Sequence, residues 1–269
     1  MGFSCHAHAL RAVLVACGMA WLGPVAGASA GTPVLSAALE LAPIPEPFGF
    51  STSPVSGGGL LAKWLGVAHR IDDERVQLAL CDGDREHCVS DAALKFLAIV
   101  DDARALEGRA RLGKINRAIN LAIRPMSDLA QWGEIDIWSS PLVTFATGAG
   151  DCEDYAIAKF VALRFAGIAA EDLRLIVLRD LIRGEGHAVT AVRLDGHWLI
   201  LDNRRMTMVE DSDLRDYRAL FVIDDSGVMR YSDAPVLASL PEAATVTASS
   251  TARPQGRAGH RASSPFRND

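Results

Sequence analysis

Apolar and polar positions alternate with two different periods along this chain, and the change from one to the other divides it. From Leu60, LLAKWLGVAHRIDDERVQLALC places apolar residues at helical spacing, and its polar run predicts a break near Ile71. DAALKFLAIVDDARALEG and RLGKINRAINLAI predict two more amphipathic helices, the second ended by Pro125. Residues 126–150 contain Gly133, Pro141, Gly148 and Gly150 and read as a structured loop. A long helix is expected from Cys152 to about Ala166, with Gly167 as its stop and Ala156, Phe160 and Leu163 as a core-facing stripe. Beyond it the period shortens to that of strands. LRLIVLRD is one, and HAVTAVRL and HWLILDN are two more joined by Asp195-Gly196, a strong hairpin signal. RALFVID and VMRYSD predict a further hairpin. Helices followed by antiparallel strands make the fold class α+β.

The two ends of the chain differ from this body. Residues 1–30 carry one early positive charge (Arg11), an apolar run broken by Pro24, and Ala28-Ser29-Ala30 as a small-x-small cleavage site. They read as a secretory signal peptide, not as a membrane anchor. Residues 31–58 are rich in Pro, Gly and Ser and read as an irregular N-terminal arm; residues 59–238 form the folded domain; residues 239–269 hold few large apolar side chains and read as a disordered tail.

With 49% hydrophobic and 22% charged residues, the composition is that of a soluble globular protein. The net charge of −6 falls to −7 when the signal segment removes Arg11 and no acid, so there is no nucleic-acid footprint and no membrane insertion after cleavage. Export leaves Cys81, Cys88 and Cys152. The spacing in CDGDREHC allows a small disulfide-closed loop, which an oxidising periplasm favours. Cys152 is then unpaired, and an odd thiol in a secreted chain points to intermolecular pairing or to reactivity.

That thiol sits in GAGDCEDYAIAKF, with Asp151 before it and Glu153 and Asp154 after it. The carboxylates disfavour a thiolate, whereas the helix N-terminus favours one. Across the hairpin, a two-residue Asp195-Gly196 turn opposes Leu194 to His197, so paired residue numbers sum to about 391. Asp202 then opposes Val189, and His187 shares a face with it as a diagonal neighbour roughly 7–8 Å away by backbone. A carboxylate so placed orients an imidazole, and the imidazole takes a proton from a helix-start thiol. Each residue also has a plain reading: a strand-edge histidine, a strand-ending aspartate, acids that only cap a helix. His197, beside the turn, reads as a surface residue.

WGEIDIWSSPLVTFATGAGDCEDYAIAKF and GEGHAVTAVRLDGHWLILDN, with NRAINLAI, the Lys63-Trp64 pair and DYRALF at 216–221, resemble the bacterial transglutaminase-like cysteine proteinases, in particular the periplasmic LapG-type adhesin-releasing proteases. The resemblance covers roughly residues 55–225 and includes a D-x-W-x-x-P pattern from Asp136 to Pro141, with Trp138 at the cleft or in the core. It implies a papain-like, transglutaminase-type core: N-terminal helices and a cysteine-bearing helix packed on an antiparallel β-sheet. It implies a catalytic Cys152, His187 and Asp202, and limited proteolysis of a large surface adhesin at a paired-alanine site, a step in biofilm release. It also implies calcium dependence and, in many members, an inner-membrane receptor that senses cyclic di-GMP. Calcium on Asp151 and Glu153, with Asp154, would neutralise the acids around the thiol. Acyl transfer to an amine, or a non-catalytic periplasmic binding module on the same fold, are the alternative functions.

Overall fold

The computed structural model describes residues 45–232; the signal peptide, the first part of the arm and the tail read from the sequence lie outside the described residues. In chain order the elements are β1 (Thr52–Pro54), α1 (Gly59–Gly83), α2 (Asp91–Arg104), α3 (Gly108–Ala122), β2 (Arg124–Pro125), α4 (Asp128–Trp132), α5 (Pro141–Thr147), β3 (Ala149–Gly150), α6 (Cys152–Phe165), β4 (Leu173–Asp180), β5 (Glu185–Leu194), β6 (His197–Leu201), β7 (Val209–Glu210), β8 (Tyr217–Asp224) and β9 (Gly227–Tyr231). Seven strands form one antiparallel sheet in the order β1-β9-β8-β4-β5-β6-β7. The helices cover one face of it, giving the α+β class expected, with the cysteine-bearing helix packed on the antiparallel sheet.

Helix α6 lies between sheet and helices, and the expected stripe is too narrow a description of it. Every residue from Glu153 to Leu163 is buried, because α6 packs on β5 and β4 on one side and on α2, α3 and α5 on the other. A helix enclosed on all sides has no solvent face for polar residues. Thr190 on β5 ties the layers together by donating to the Ala156 carbonyl at 2.7 Å.

Three other expectations are corrected. The first helix runs unbroken through Ile71: Ile71 belongs to the buried stripe of Trp64, Val67, Leu78 and Cys81, while Asp72 and Asp73 face solvent. Part of the arm is regular, since β1 pairs with β9 at the sheet edge, where Pro54 is tolerated. Residues 126–150 hold two short helices and a two-residue parallel bridge between β2 and β3. Pro141 at the first turn of α5 and Gly148 after it, at φ 62°, mark a helix start and stop as well as a loop.

One side of α1 grips the segment before α5. Lys63 pairs with Asp136, Arg70 donates to the Trp138 carbonyl at 2.6 Å, and Glu74 accepts from the Ser140 hydroxyl and from the Leu142 amide at 3.0 Å. A disulfide joins Cys81, near the end of α1, to Cys88. Glu74 therefore serves as the acceptor for the first turn of α5. Glu74→Ala leaves those donors unanswered and is expected to lower the unfolding free energy by about 1–3 kcal/mol, read from urea denaturation.

Candidate active site

Cys152 is presented by a tight turn. Asp154 reaches back from the third position of α6 to accept from the Asp151 amide at 3.3 Å, and its other oxygen accepts from Ser139 N at 2.9 Å. Gly150 makes this possible, since a Cβ there would stand 2.5 Å from the Asp154 carboxylate. The helix start is thus fixed, with the thiol on its first residue. Cys152 is partly exposed and is the unpaired cysteine among the described residues. Its Sγ donates to Glu153 Oε2 at 3.2 Å. Burial above all, then the charge and hydrogen bond of Glu153 and the charge of Asp151, push the thiol far above its ordinary range; the Ala188 amide opposes them. In this state the thiol is protonated and weakly nucleophilic.

The hairpin has the register that the turn dictates. Asp195 and Gly196 both have positive φ, 53° and 83°, as a type I′ turn requires. Leu194 opposes His197 and the ladder continues without a bulge to Thr190 and Leu201. There β6 leaves the ladder, and from Glu185 to Val189 strand β5 keeps only its pairing with β4. At this open edge Asp202 folds onto the ring: His187 Nε2 and Asp202 Oδ1 are 2.9 Å apart, both side chains essentially fully buried. Asp202 Oδ1 also accepts from Arg204 N at 2.9 Å, and Oδ2 from Tyr217 Oη at 2.8 Å. Burial alone would raise the Asp202 carboxyl; the hydrogen bond and charge of His187, with the Arg204 and Tyr217 donors, outweigh it and hold the group well below the usual carboxylate range. His187 Nδ1 is buried and has no protein partner. His197 is exposed and lies 3.4 Å from Glu210.

A cleft of about 480 Å³ brings the two parts together, with Cys152 and Glu153 on one wall and His187 and Ala188 on another. Trp138 forms a third wall while remaining buried, its indole N–H donating to Asp136 Oδ1 at 3.1 Å. The structure thus joins His187 to Asp202 directly and places Cys152 in the same cleft, with its hydrogen bond going to Glu153 and not to the ring. A separate hollow of about 410 Å³ between α1, the end of α6 and the β8–β9 turn contains neither thiol nor imidazole.

The acids around Cys152 form two overlapping groups among the described residues, Asp151 with Cys152 and Glu153, and Asp151 with Asp154 and Asp128, the ligand atoms within each lying within 4.8 Å of one another. Glu153 and Asp154 diverge, as consecutive helical residues must, and Asp151 is shared. Asp128 completes the second group; in the sequence it looks like any acid at a helix start. Asp151 Oδ1 and Asp128 Oδ1 are buried without a partner. Burial chiefly, opposed by the Ser139 amide and reinforced by Asp151 and Asp128, pushes Asp154 up to about 7. Burial and the neighbouring Asp151 push Glu153 up to about 9. The second group, Asp128, Asp151 and Asp154, offers only carboxylate oxygens, crowded together and largely buried, which suit a hard cation; the first includes the Cys152 sulfur. Tyr217 was also unassigned in the sequence: DYRALF reads as a strand start, and only its position two strands from β5 in the sheet shows the hydroxyl on Asp202.

A helix-start thiol packed against an antiparallel sheet that carries a His–Asp pair defines the class of architecture. The chain belongs to the bacterial transglutaminase-like cysteine proteinases, whose family model matches residues 77–222. Among solved structures it is similar to LapG of Legionella pneumophila, with 22% identity over 58% of this chain and 86% of that one and a TM-score of 0.48. The calcium-bound form of that protein gives 20% identity over 59% and 92% with a TM-score of 0.49, and the EGTA-treated form 21% over 61% and 87%, also at 0.49. No curated protein sequence matches the chain. Among the described residues, no helix is long and apolar enough to cross a membrane.

The raised carboxyls of Glu153 and Asp154 set a pH dependence. An acid whose folded pKa lies above its unfolded value keeps its proton in the native state, so its stabilising contribution is lost as pH rises; for Asp154 that loss runs from about pH 4 to about 7. Asp202 has the opposite sign and loses its contribution only as pH falls below about 4. In chelator, the melting temperature is expected to fall between pH 5 and pH 8, and Asp154→Asn to flatten the slope. A melting temperature that rises over this interval would contradict the assignment.

Proposed function

We propose that the protein is a periplasmic, calcium-dependent cysteine endopeptidase that carries out limited proteolysis of a large surface adhesin through Cys152, His187 and Asp202. One observation carries the reading: the His187 ring is bonded through Nε2 to a buried, ionised Asp202, and its Nδ1 is unpartnered in the cleft shared with Cys152. In this role His187 Nδ1 takes the proton from Sγ, and the sulfur bonds to the scissile carbonyl carbon. His187 then gives that proton to the departing amine as the C–N bond breaks, leaving a thioester. Water, deprotonated by His187, displaces the sulfur and regenerates the thiol. Asp202 holds the ring in orientation and stabilises its charged form, and Tyr217 holds Asp202.

Calcium fits the acids on this chain's own evidence: two buried, unpartnered carboxylate oxygens and two carboxyls that give up their protons only reluctantly. Asp151 with Glu153, and Asp128 with Asp154, are the residues that would hold it. The bound ion supplies positive charge beside the thiol and satisfies the carboxylates. Glu153, one of those residues, is also the acceptor for the Cys152 thiol. The N-terminal segment and the Cys81–Cys88 disulfide support an oxidising, periplasmic location. An inner-membrane cyclic di-GMP receptor is the proposed regulatory partner.

Cleavage of an N-terminal adhesin fragment by the wild type but not by Cys152→Ala is the expected result; incorporation of an added amine without cleavage would favour acyl transfer instead. Alkylation of Cys152 at pH 7 is expected to be at least about tenfold faster with calcium than with chelator, since a tenfold change corresponds to one unit of effective thiol pKa. Equal rates would remove the calcium part of the proposal. Tyr217→Phe, which frees one Asp202 oxygen, is expected to lower kcat by about 3–10-fold with KM little changed, as the loss of one hydrogen bond worth about 1 kcal/mol implies.

A further inference from the structure

Helix α6 carries a second charged residue besides its N-terminal acids. Lys159 lies seven positions after Cys152, between Ala158 and Phe160, and is fully buried. Its Nζ has no hydrogen-bond partner among the protein atoms and lies 5.9 Å from the centroid of the Tyr155 ring. A lysine needs a reason to occupy such a position, because leucine or methionine would fill it without the cost of burying a cation.

The surroundings supply the reason. The segment after β6 that bears Asp202 is held against α3 by two asparagines one turn apart. Asn116 donates to the Arg205 carbonyl, and Asn120 to the carbonyls of Asp202 and Arg205, each at 3.0 Å. The oxygens of both amides, and that of Asn203 within the segment, are buried and unpartnered. Three orphan acceptors thus border the segment that bears Asp202. Buried polar groups of this kind are satisfied directly or through internal water.

We propose that Lys159 is a positioning residue of the active site: one turn along α6 from Ala156, whose carbonyl accepts from Thr190 opposite Leu201, its ammonium lies on the interior side of Asp202 and limits how strongly that carboxylate stabilises a charged His187 ring. Tyr155 shares the helix. The 202–205 segment brings Asp202 and Arg205, the latter 3.9 Å from Asp202 Oδ2. Strand β5 brings His187, and β8 brings Tyr217, both onto Asp202. From α3 come the neutral amides, and α2, α5 and β4 meet α6 with apolar side chains such as Phe96, Phe145 and Leu175. Burial pushes Lys159 down to about 7 against the pull of Asp202, so its charge changes in the range where an imidazole also titrates. A neighbouring cation competes with the imidazolium for the same carboxylate.

This inference rests on the reading of His187 and Asp202 as catalytic partners, but its test does not use catalysis. The titration of the His187 ring is followed by NMR on the full chain, at fixed calcium, in the wild type and in Lys159→Met. Removing the cation is expected to raise the His187 midpoint by about half a pH unit or more. The melting temperature at neutral pH should hold or rise, because an apolar side chain replaces a buried cation. A folded variant with an unmoved midpoint would overturn the proposal. The chain has four lysines, Lys63, Lys95, Lys114 and Lys159, so Lys159 can also be followed directly by its Nζ resonance. In the wild type that resonance should show an inflection where His187 titrates, and in Asp202→Asn its own midpoint should fall by about one unit or more. A Lys159 signal indifferent to both overturns the proposal even if Lys159→Met does not fold. Failure of adhesin cleavage with these couplings intact would count against the proteolytic reading alone.

Discussion

Enclosing α6 on every side imposes a condition that the rest of the molecule meets. The helix begins with Cys152, Glu153 and Asp154 and carries Lys159 in its interior, and none of these can turn fully to water. Each must find its answer inside the protein. Asp154 finds two backbone amides, the thiol finds Glu153, and Lys159, with no hydrogen-bond partner among the protein atoms, has the charge of Asp202 to draw on. The apolar neighbours Ala156, Ile157 and Phe160 supply the packing that keeps the helix in place despite those polar groups. Reactivity and burial are therefore one problem here: the environment that fixes the sulfur also suppresses its ionisation.

The two halves of the site are built differently. The imidazole and its carboxylate are fully satisfied on the Nε2 side, with Asp202 accepting from a ring, an amide and a hydroxyl at once. Such a network is rigid, since moving any member leaves a buried partner unanswered. The thiol half carries unpartnered oxygens on Asp151 and Asp128 and carboxyls that resist ionisation. One half leaves only His187 Nδ1 unanswered, and the other leaves carboxylate oxygens so. That asymmetry leaves the surroundings of the thiol open to a change that the His–Asp pair need not share.

Parts of this were legible in the sequence for a definite reason. A two-residue Asp-Gly turn leaves no freedom of register, so counting back from it puts His187 and Asp202 on one side of the ribbon; without a bulge the count holds as far as Thr190 and Leu201, one residue short of Asp202, which then folds onto the ring. The helices and main strands followed from periodicity in the same way. Short elements escaped: β1 and α5 are too brief to show a period, and Pro141 and Gly148 signal a loop as readily as a seven-residue helix. The polar run after Ile71 looked like an interruption because pattern alone does not show that Glu74 has a partner sixty-six residues away. Asp128, Tyr217 and Lys159 were invisible as functional residues, since their meaning lies in what tertiary contact places beside them.

The grip of α1 on the 136–142 segment bears on where this protein begins and ends as a piece of machinery. Lys63, Arg70 and Glu74 lie upstream of residue 77, where the recognisable stretch starts, and β9 lies beyond residue 222, where it stops. A fragment cut at those limits would retain Cys152, His187 and Asp202. It would sever the first helix midway, strip the sheet of its outer ribbon and release the tryptophan wall. Heredity marks out a smaller territory than mechanics does, and the shape of the groove is decided by residues that family likeness passes over.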